Sequence, residues 1–150
     1  MALGSETRAT TERMSRARTE EVMREYLAAL LGSGPFAIHL ASNVTMTLVD
    51  VGQVVAGRDA VEQAIVNFHH EAFAAQPEVQ TFTAGAGIAF AEIVFVGQHI
   101  GDFVGIPATG RDVRVPYVAA YDLADDRITA LRLYGPASGL VQQVTASETA

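Results

Sequence analysis

The chain has 150 residues, no cysteine and a formal net charge of −7. This is the size of one ordinary domain, which can bury a core without cross-links. The composition excludes disulfides, thiolate zinc ligands and thiol nucleophiles, and because all ten basic residues are arginine it also excludes lysine Schiff bases and the phosphate-loop lysine.

Two helical segments are predicted near the N-terminus. Residues 1–18 are small, polar and charged without an apolar period, and we expect them to form a flexible tail. Thr19 is predicted to cap a helix that runs to Leu31 and has one apolar face. Pro35 can begin a short second helix that extends through Leu40.

The rest of the chain is predicted to be mostly β-structure. In residues 43–57 apolar and polar side chains alternate and many residues are β-branched, which indicates a strand and a short return. Residues 58–75 carry apolar side chains at helical spacing and predict an amphipathic helix. After Pro77 we expect three or four strands up to Tyr134, with the pair at 125–126 forming a tight hairpin turn.

This order of elements indicates a single α+β domain over residues 19–144, followed by a flexible tail at 145–150. A long curved sheet wrapped by helices encloses a cone whose interior can hold a small ligand. The longest apolar stretch, residues 88–96, is interrupted by Glu92 and too short to span a bilayer. Because the N-terminus also lacks the apolar core of a secretory signal, we expect a soluble cytoplasmic protein without a membrane partner. The acidic balance argues against nucleic acid as a partner.

Two stretches of sequence resemble a known family. "GQHIGDFVGIPATGRDV" (residues 97–113) is similar to the "G-x-H-x-G-x-F-x-G-I-P-P-T-G-R-x-V" passage of the SnoaL-like polyketide cyclases, and "ASGLVQQV" (residues 137–144) to their C-terminal "G-L-x-x-Q-L" segment. These cyclases belong to the nuclear transport factor 2-like superfamily. The resemblance implies a cone-shaped, curved antiparallel sheet wrapped by N-terminal helices. It also implies that residues 97–113 form a strand, a turn and the next strand.

The last predicted strand departs from that family. Its members carry "K-I-x-E-E-W-x-x-W-D" there, whereas residues 127–136 read "RITALRLYGP", so the expected acid is missing. The limonene-epoxide hydrolases share "GRDAVEQ" (residues 57–63), but their catalytic Asp-Arg-Asp set corresponds to Ile93, Phe95 and Leu133. We therefore do not expect epoxide hydrolysis by that mechanism.

His99 is the first candidate for chemistry. Alternation along its strand would turn Ile93, Phe95 and His99 inward, giving an apolar wall with one imidazole at its end. A histidine titrating near neutrality is a competent general acid or base. The alternative is a histidine hydrogen-bonded at the rim of the sheet.

Asp50 is the second candidate, since it ends the first strand near the position where ketosteroid-isomerase-like relatives carry a base. A carboxylate buried on an apolar wall would have a raised pKa and could take a proton from carbon. The alternative is an aspartate that only forms a turn.

Three further positions could hold a developing negative charge. Tyr117 and Tyr121 share a face of one strand, and phenols at a cavity wall can stabilise an enolate oxygen, although core tyrosines are commoner. Arg132, if inward, could bind a substrate carboxylate or a buried acid; if outward, it is a solvated strand arginine. Tyr134 is predicted to lie on the same face of its strand as Arg132.

The histidines do not predict a metal site. His69 and His70 are adjacent in a helix and point about 100° apart, so they cannot chelate one ion together. His69 could touch the pocket, and His39 could reach the mouth of the cone. The predicted ligand-binding residues are Phe95, Ile93, Tyr121, Leu133, Tyr134, His69 and His39, beside the predicted catalytic residues His99, Asp50, Tyr117 and Arg132.

The leading hypothesis is a cofactor-free enzyme of small-molecule secondary metabolism. It would use acid–base catalysis by His99 or Asp50 for aldol cyclisation or isomerisation of an apolar, aromatic or polyketide-like carbonyl compound. One alternative is a non-catalytic binding or accessory protein that has lost the family's acid. Another is a related hydroxylase or epoxide hydrolase-like enzyme. Apolar side chains on both faces of the strands also predict a homodimer.

Overall fold

The computed structural model describes residues 14–32 and 34–146 of the chain. The expected tails therefore lie largely outside the described residues. In chain order the helices are α1 (Arg16–Leu31), a 3-10 helix (Phe36–His39), α2 (Arg58–Val66), a π-helical turn (Asn67–Glu71) and α3 (Pro136–Val144), and the strands are β1 (Leu40–Leu48), β2 (Gln53–Ala56), β3 (Phe73–Ala75), β4 (Glu78–Gly85), β5 (Ile88–His99), β6 (Asp112–Ala124) and β7 (Arg127–Tyr134).

Helix α1 begins before the predicted N-cap. Ser15 caps it, and its hydroxyl accepts a hydrogen bond from the Arg18 N–H at 3.0 Å. Thr19 lies one turn inside the helix and is fully buried. Its hydroxyl donates to the Ser15 carbonyl at 2.7 Å and accepts from the Gly87 N–H at 2.9 Å, so it ties α1 to the β4–β5 turn. The predicted capping role of Thr19 was wrong because this tertiary contact uses its hydroxyl.

The helix predicted over residues 58–75 is shorter than expected. It ends at Val66, widens into the π-helical turn and is followed by β3, which pairs with β5. Phe73 leaves the helical stripe because its ring is buried against Phe95, with 5.4 Å between ring centroids. Packing in the core thus overrides the helical period.

The seven strands form one curled sheet in the order β2-β1-β7-β6-β5-β3, with β4 also paired to β5. The β1–β7 pair is parallel and the other pairs are antiparallel. Three or four strands were expected between Pro77 and Tyr134, and four are present. Asp125 and Asp126 have φ values of 52° and 62°, as the predicted tight hairpin requires.

The helices pack on one face of the sheet and bury two apolar clusters. The larger lies between α1, α2 and the sheet, and the smaller lies beneath α3. The inward positions of β5 are buried as the alternation predicted, Ile93, Phe95 and His99 among them. Among the described residues, no helix is long and apolar enough to span a membrane.

Candidate functional site

A cavity of about 430 Å³ lies between β1, β2, α2, α3 and the loop that follows β5. Ten of its twelve lining side chains are apolar, and the other two are Gln53 and Asn67. Among the residues that the structure describes, no charged side chain lines it. The lining residues are Met46, Leu48, Val51, Gln53, Val55, Ala64, Asn67, Phe68, Phe103, Val104, Ala137 and Val141.

Each wall follows from a local pattern in the sequence. Alternation on β1 turns Met46 and Leu48 to the same buried face. On α3, Ala137 and Val141 are four residues apart and therefore share a helical face. The π-helical turn begins where α2 ends and contributes Asn67 and Phe68, so the single-turn widening shapes the cavity wall.

His99 lies behind this wall. Its side chain is fully buried, and its Nδ1 accepts a hydrogen bond from the Thr109 N–H at 3.2 Å and lies 2.9 Å from the Thr109 hydroxyl. Its ring packs on Phe73 with 5.2 Å between centroids. The Nε2 atom is buried without a hydrogen-bond partner among the described residues. His99 is thus separated from the cavity by one layer of aromatic side chains.

Asp50 lies at the exposed edge of the cavity, beside the start of α3. Its Oδ2 accepts hydrogen bonds from the Ser138 N–H at 2.8 Å and from the Ser138 hydroxyl at 2.6 Å. Desolvation opposes ionisation of this carboxyl, but the Ser138 hydrogen bonds outweigh it, so its pKa is lowered rather than raised. Our expectation of a raised pKa was wrong because the carboxylate is solvated and caps a helix.

The two predicted tyrosines belong to a cluster of three. Tyr26 of α1 packs against Tyr121 with 6.0 Å between ring centroids, and Tyr117 lies close enough to interact electrostatically with both. Burial raises the pKa of all three phenols, and their mutual proximity raises it further for Tyr26 and Tyr121. They stay protonated donors. None of them lines the 430 Å³ cavity.

Arg132 and Tyr134 lie on the outer face of the sheet. The guanidinium of Arg132 binds Asp122 through two nitrogens, at 2.8 and 3.2 Å. This pairing, chiefly the hydrogen bonds, raises the arginine's pKa. Of the two orientations left open by the sequence, the outward one is found, and it places both side chains away from the cavity.

Of the remaining histidines, His69 contacts the aromatic layer. His69 has its Nδ1 2.8 Å from the Ile65 carbonyl and its ring 5.8 Å from that of Phe95. Burial lowers its pKa, and its Nε2 has no partner among the described residues. His70 is exposed, and His39 is half-buried on the 3-10 helix. Within the described part of the chain, no three His, Asp or Glu side chains are grouped as metal ligands.

None of the predicted ligand-binding residues lines the cavity, and some of them lie in the layer behind its wall. Ile93 is buried in the larger cluster, Leu133 packs partly buried against it, and Phe95 touches the lining residue Phe68. Ala64 and Phe68 of the wall lie within residues 58–75, the segment predicted as an amphipathic helix. No sequence signal marked Gln53 or Asn67, because a lone amide has no distinctive spacing.

Comparison with known proteins relates the chain to one family. The family model for the SnoaL-like polyketide cyclases matches residues 35–144. A search of curated proteins found no match. Among solved structures, a protein described as a SnoaL-like polyketide cyclase from Jannaschia sp. CCS1 is similar with a TM-score of 0.78 and 17% identity, over 88% of this chain and 94% of that one.

Two other solved structures share the fold. AclR from Streptomyces galilaeus, described as a hydroxylase, has a TM-score of 0.73 and 19% identity over 91% of this chain and 86% of its own. A protein from Kribbella flavida DSM 17836, described as a ketosteroid isomerase, has a TM-score of 0.65 and 19% identity over 81% of this chain and 79% of its own. Proteins with different described activities thus share this architecture.

Proposed function

Because this chain belongs to the SnoaL-like polyketide cyclase family, we propose that it binds a small, uncharged and largely apolar carbonyl compound of the polyketide type in the 430 Å³ cavity. The observation that carries the proposal is the composition of the cavity wall. Apolar side chains favour a flat hydrophobic molecule, and a few polar groups orient it.

The two amides define the polar part of that ligand. The side chains of Gln53 and Asn67 can each donate two hydrogen bonds and accept at the amide oxygen. A carbonyl or hydroxyl group matches them, whereas a carboxylate or phosphate would be desolvated among apolar side chains without a balancing charge. The cavity therefore favours neutral ligands over anionic ones.

Binding is tested by isothermal titration calorimetry with 1-acetonaphthone, a neutral aromatic ketone that serves as the probe. Ala64→Met fills part of the cavity and should weaken binding by about tenfold, which corresponds to about 1.4 kcal/mol. Ala124→Met makes the same change at an exposed position on β6 and should leave binding unchanged. A wild-type protein that does not bind the probe, or equal affinities for wild type and Ala64→Met, would contradict the proposal.

Cofactor-free cyclisation or isomerisation is the second candidate function, and the family match favours it. A base would remove a proton from carbon next to the carbonyl, and the resulting enolate would either attack a second carbonyl or be reprotonated elsewhere. Asp50 is the proposed proton-transfer group because it lies at the exposed edge of the cavity, whereas His99 lies behind the aromatic layer and neither Tyr117 nor Arg132 lines the cavity. Asp50→Asn should then abolish turnover of any substrate that the wild type converts. Unchanged turnover would leave ligand binding as the function.

We further propose that the protein works as a cytoplasmic homodimer that pairs through the outer face of its sheet. Phe90, Val118 and Tyr134 are large side chains on that face that remain 37–44% exposed. A groove beside Val118 and Tyr134 is bounded by the apolar Val94 and Pro116 and by the polar Gln80 and Glu92. A partner sheet would cover this apolar surface.

A further inference from the structure

A short hairpin closes one side of the cavity. We call it the mouth hairpin, Phe103–Ile106, because Phe103 and Val104 both line the opening. The Phe103 N–H donates to the Ile106 carbonyl at 2.9 Å, and the Ile106 N–H donates to the Phe103 carbonyl at 2.8 Å. The Asp102 carboxylate accepts from the Gly105 N–H at 3.3 Å. The hairpin therefore has its own hydrogen bonds and is a defined element.

The first residue of the turn is strained. Val104 has a φ of 43°, and its neighbour Gly105 has a φ of 81°. Glycine adopts such values freely, but a β-branched residue does so only at a cost in energy. Val104 is also 70% exposed, so no burial of its own compensates for that strain. Strain of this kind is typical of ligand-contacting positions.

His99 holds the base of this loop. Its backbone N–H donates to the Arg111 carbonyl at 2.8 Å, and its carbonyl accepts from the Gly110 N–H at 2.9 Å. Since the Thr109 N–H can only donate, the Nδ1 atom of His99 must present its lone pair, and the neutral ring carries its proton on Nε2. One histidine thus binds three consecutive residues of the returning chain.

A second connection runs through ring contacts. The His99 ring packs on Phe73, and the Phe73 ring packs edge-on against Phe103 with 5.1 Å between centroids. Phe103 is buried and forms part of the cavity wall. The imidazole therefore supports the mouth hairpin from behind as well as at its base.

We propose that the mouth hairpin determines which ligands the cavity accepts, with Val104 contacting the apolar part of the ligand at the opening and His99 acting as the positioning residue that holds the hairpin in place. This inference rests on the proposed ligand binding. His99 does not touch the ligand here, and its effect passes through Phe73, Thr109 and the hairpin.

The contact is tested with a matched pair of truncations and 1-acetonaphthone as the probe. Val104→Ala removes apolar contact at the opening and should weaken binding by about tenfold, the expected effect of losing apolar surface that the bound ligand would bury. Val54→Ala truncates a valine that is 60% exposed and lies outside the cavity lining, and it should bind as the wild type does. If the wild type binds the probe and Val104→Ala binds it equally, the contact role is wrong while the cavity proposal stands.

The backbone strain at Val104 provides a second test, in which stability and binding should change in opposite directions. Val104→Gly should raise the thermal midpoint by about 2–4 °C, because glycine tolerates the positive φ. The same variant should bind the probe as weakly as Val104→Ala. A purely structural role would predict that stability and binding change in the same direction, so two changes of the same sign would overturn the proposal.

The positioning role of His99 is tested by rescue and by a double-mutant cycle. His99→Leu removes the acceptor for the Thr109 N–H and should weaken probe binding by about tenfold, whereas the side-chain oxygen in His99→Asn can accept that hydrogen bond and should restore most of the affinity. The effect of His99→Leu should be much smaller in the Val104→Ala background, because both act through the same hairpin. Additive effects, or no rescue by asparagine in a folded variant, would overturn the positioning role. If the wild type itself does not bind, the proposed function falls first.

Discussion

At the scale of single residues, close backbone contacts explain Gly97 and Gly101, two of the four glycines in residues 97–110. A Cβ on Gly101 would lie 2.2 Å from the Glu71 carbonyl oxygen, and one on Gly97 would lie 2.8 Å from that of Ala74. Gly105 differs, because the space around it is open and only its positive φ requires glycine. The same residue type therefore meets two different physical requirements within one motif.

This difference predicts unequal costs for the same substitution. Gly101→Ala forces Cβ into a backbone atom that cannot rotate away, and it should lower the free energy of unfolding by about 3 kcal/mol. Gly105→Ala only places an L-residue in the left-handed region, which costs about 1 kcal/mol. Urea denaturation followed by circular dichroism measures both, and equal losses would contradict this account.

At the scale of elements, α3 depends on a residue far from it in sequence. The N-cap position is Gly135, whose side chain cannot accept a hydrogen bond, and Asp50 supplies the acceptor for Ser138 instead. A carboxylate near a helix N-terminus is also favoured by the helix dipole. Because Ala137 and Val141 of this helix line the cavity, the cap helps to hold one cavity wall.

Removing the cap should weaken the fold in a pH-dependent way. Asp50→Ala should lower the free energy of unfolding by about 1 kcal/mol at pH 7, as for other helix caps. The folded-state pKa lies below the usual 3.8, so the unfolded state binds more protons as the pH falls. The stabilisation is therefore complete above pH 3.8 and is lost as the pH falls through the folded pKa.

Urea titrations at neutral and acidic pH measure this difference. The wild type and Asp50→Ala should converge in stability in acid, whereas Ser138→Ala, which keeps the backbone hydrogen bond, should lose less than Asp50→Ala at pH 7. A constant difference at all pH values would contradict the role of the ionised carboxylate.

At the scale of the whole molecule, the two faces of the sheet have different surroundings. The inner face is covered by helices and encloses both apolar clusters. The outer face presents Val118 between Glu92 and Tyr134 on the neighbouring strands. An antiparallel sheet can face water on one side, but its exposed side is then usually polar.

If the outer face of the sheet forms the dimer interface, a charge introduced there should dissociate the dimer. Val118→Asp should convert the dimer to a monomer, because an interface would bury the new carboxylate without a partner. Size-exclusion chromatography with light scattering gives the mass directly. Ile38→Asp introduces the same charge at an exposed position on the 3-10 helix, off the sheet, and should leave the mass unchanged. A wild-type protein of monomeric mass would refute the dimer.

The sequence by itself determined the local elements and the family. The periods of α1 and of the strands after Pro77, and the Asp125-Asp126 turn, depend on neighbours within a few residues, which is why they can be read from sequence. The motif at residues 97–113 was sufficient to indicate the family, and the match to the family model shows the same family. The expected α+β roll was confirmed, with the parallel β1–β7 pair as an addition to the antiparallel sheet.

Only the tertiary structure decided which side chains form the cavity and what the candidate residues contact. Phe73 became a strand residue because its ring fits between Phe95 and Phe103. Asp50 and Ser138 are 88 positions apart, so no local pattern could pair them. The sequence allowed Arg132 to face either side of the sheet, and the pairing of its strand with β6, which carries Asp122, decides the orientation. Such contacts depend on how distant segments approach one another, and local periodicity does not encode that.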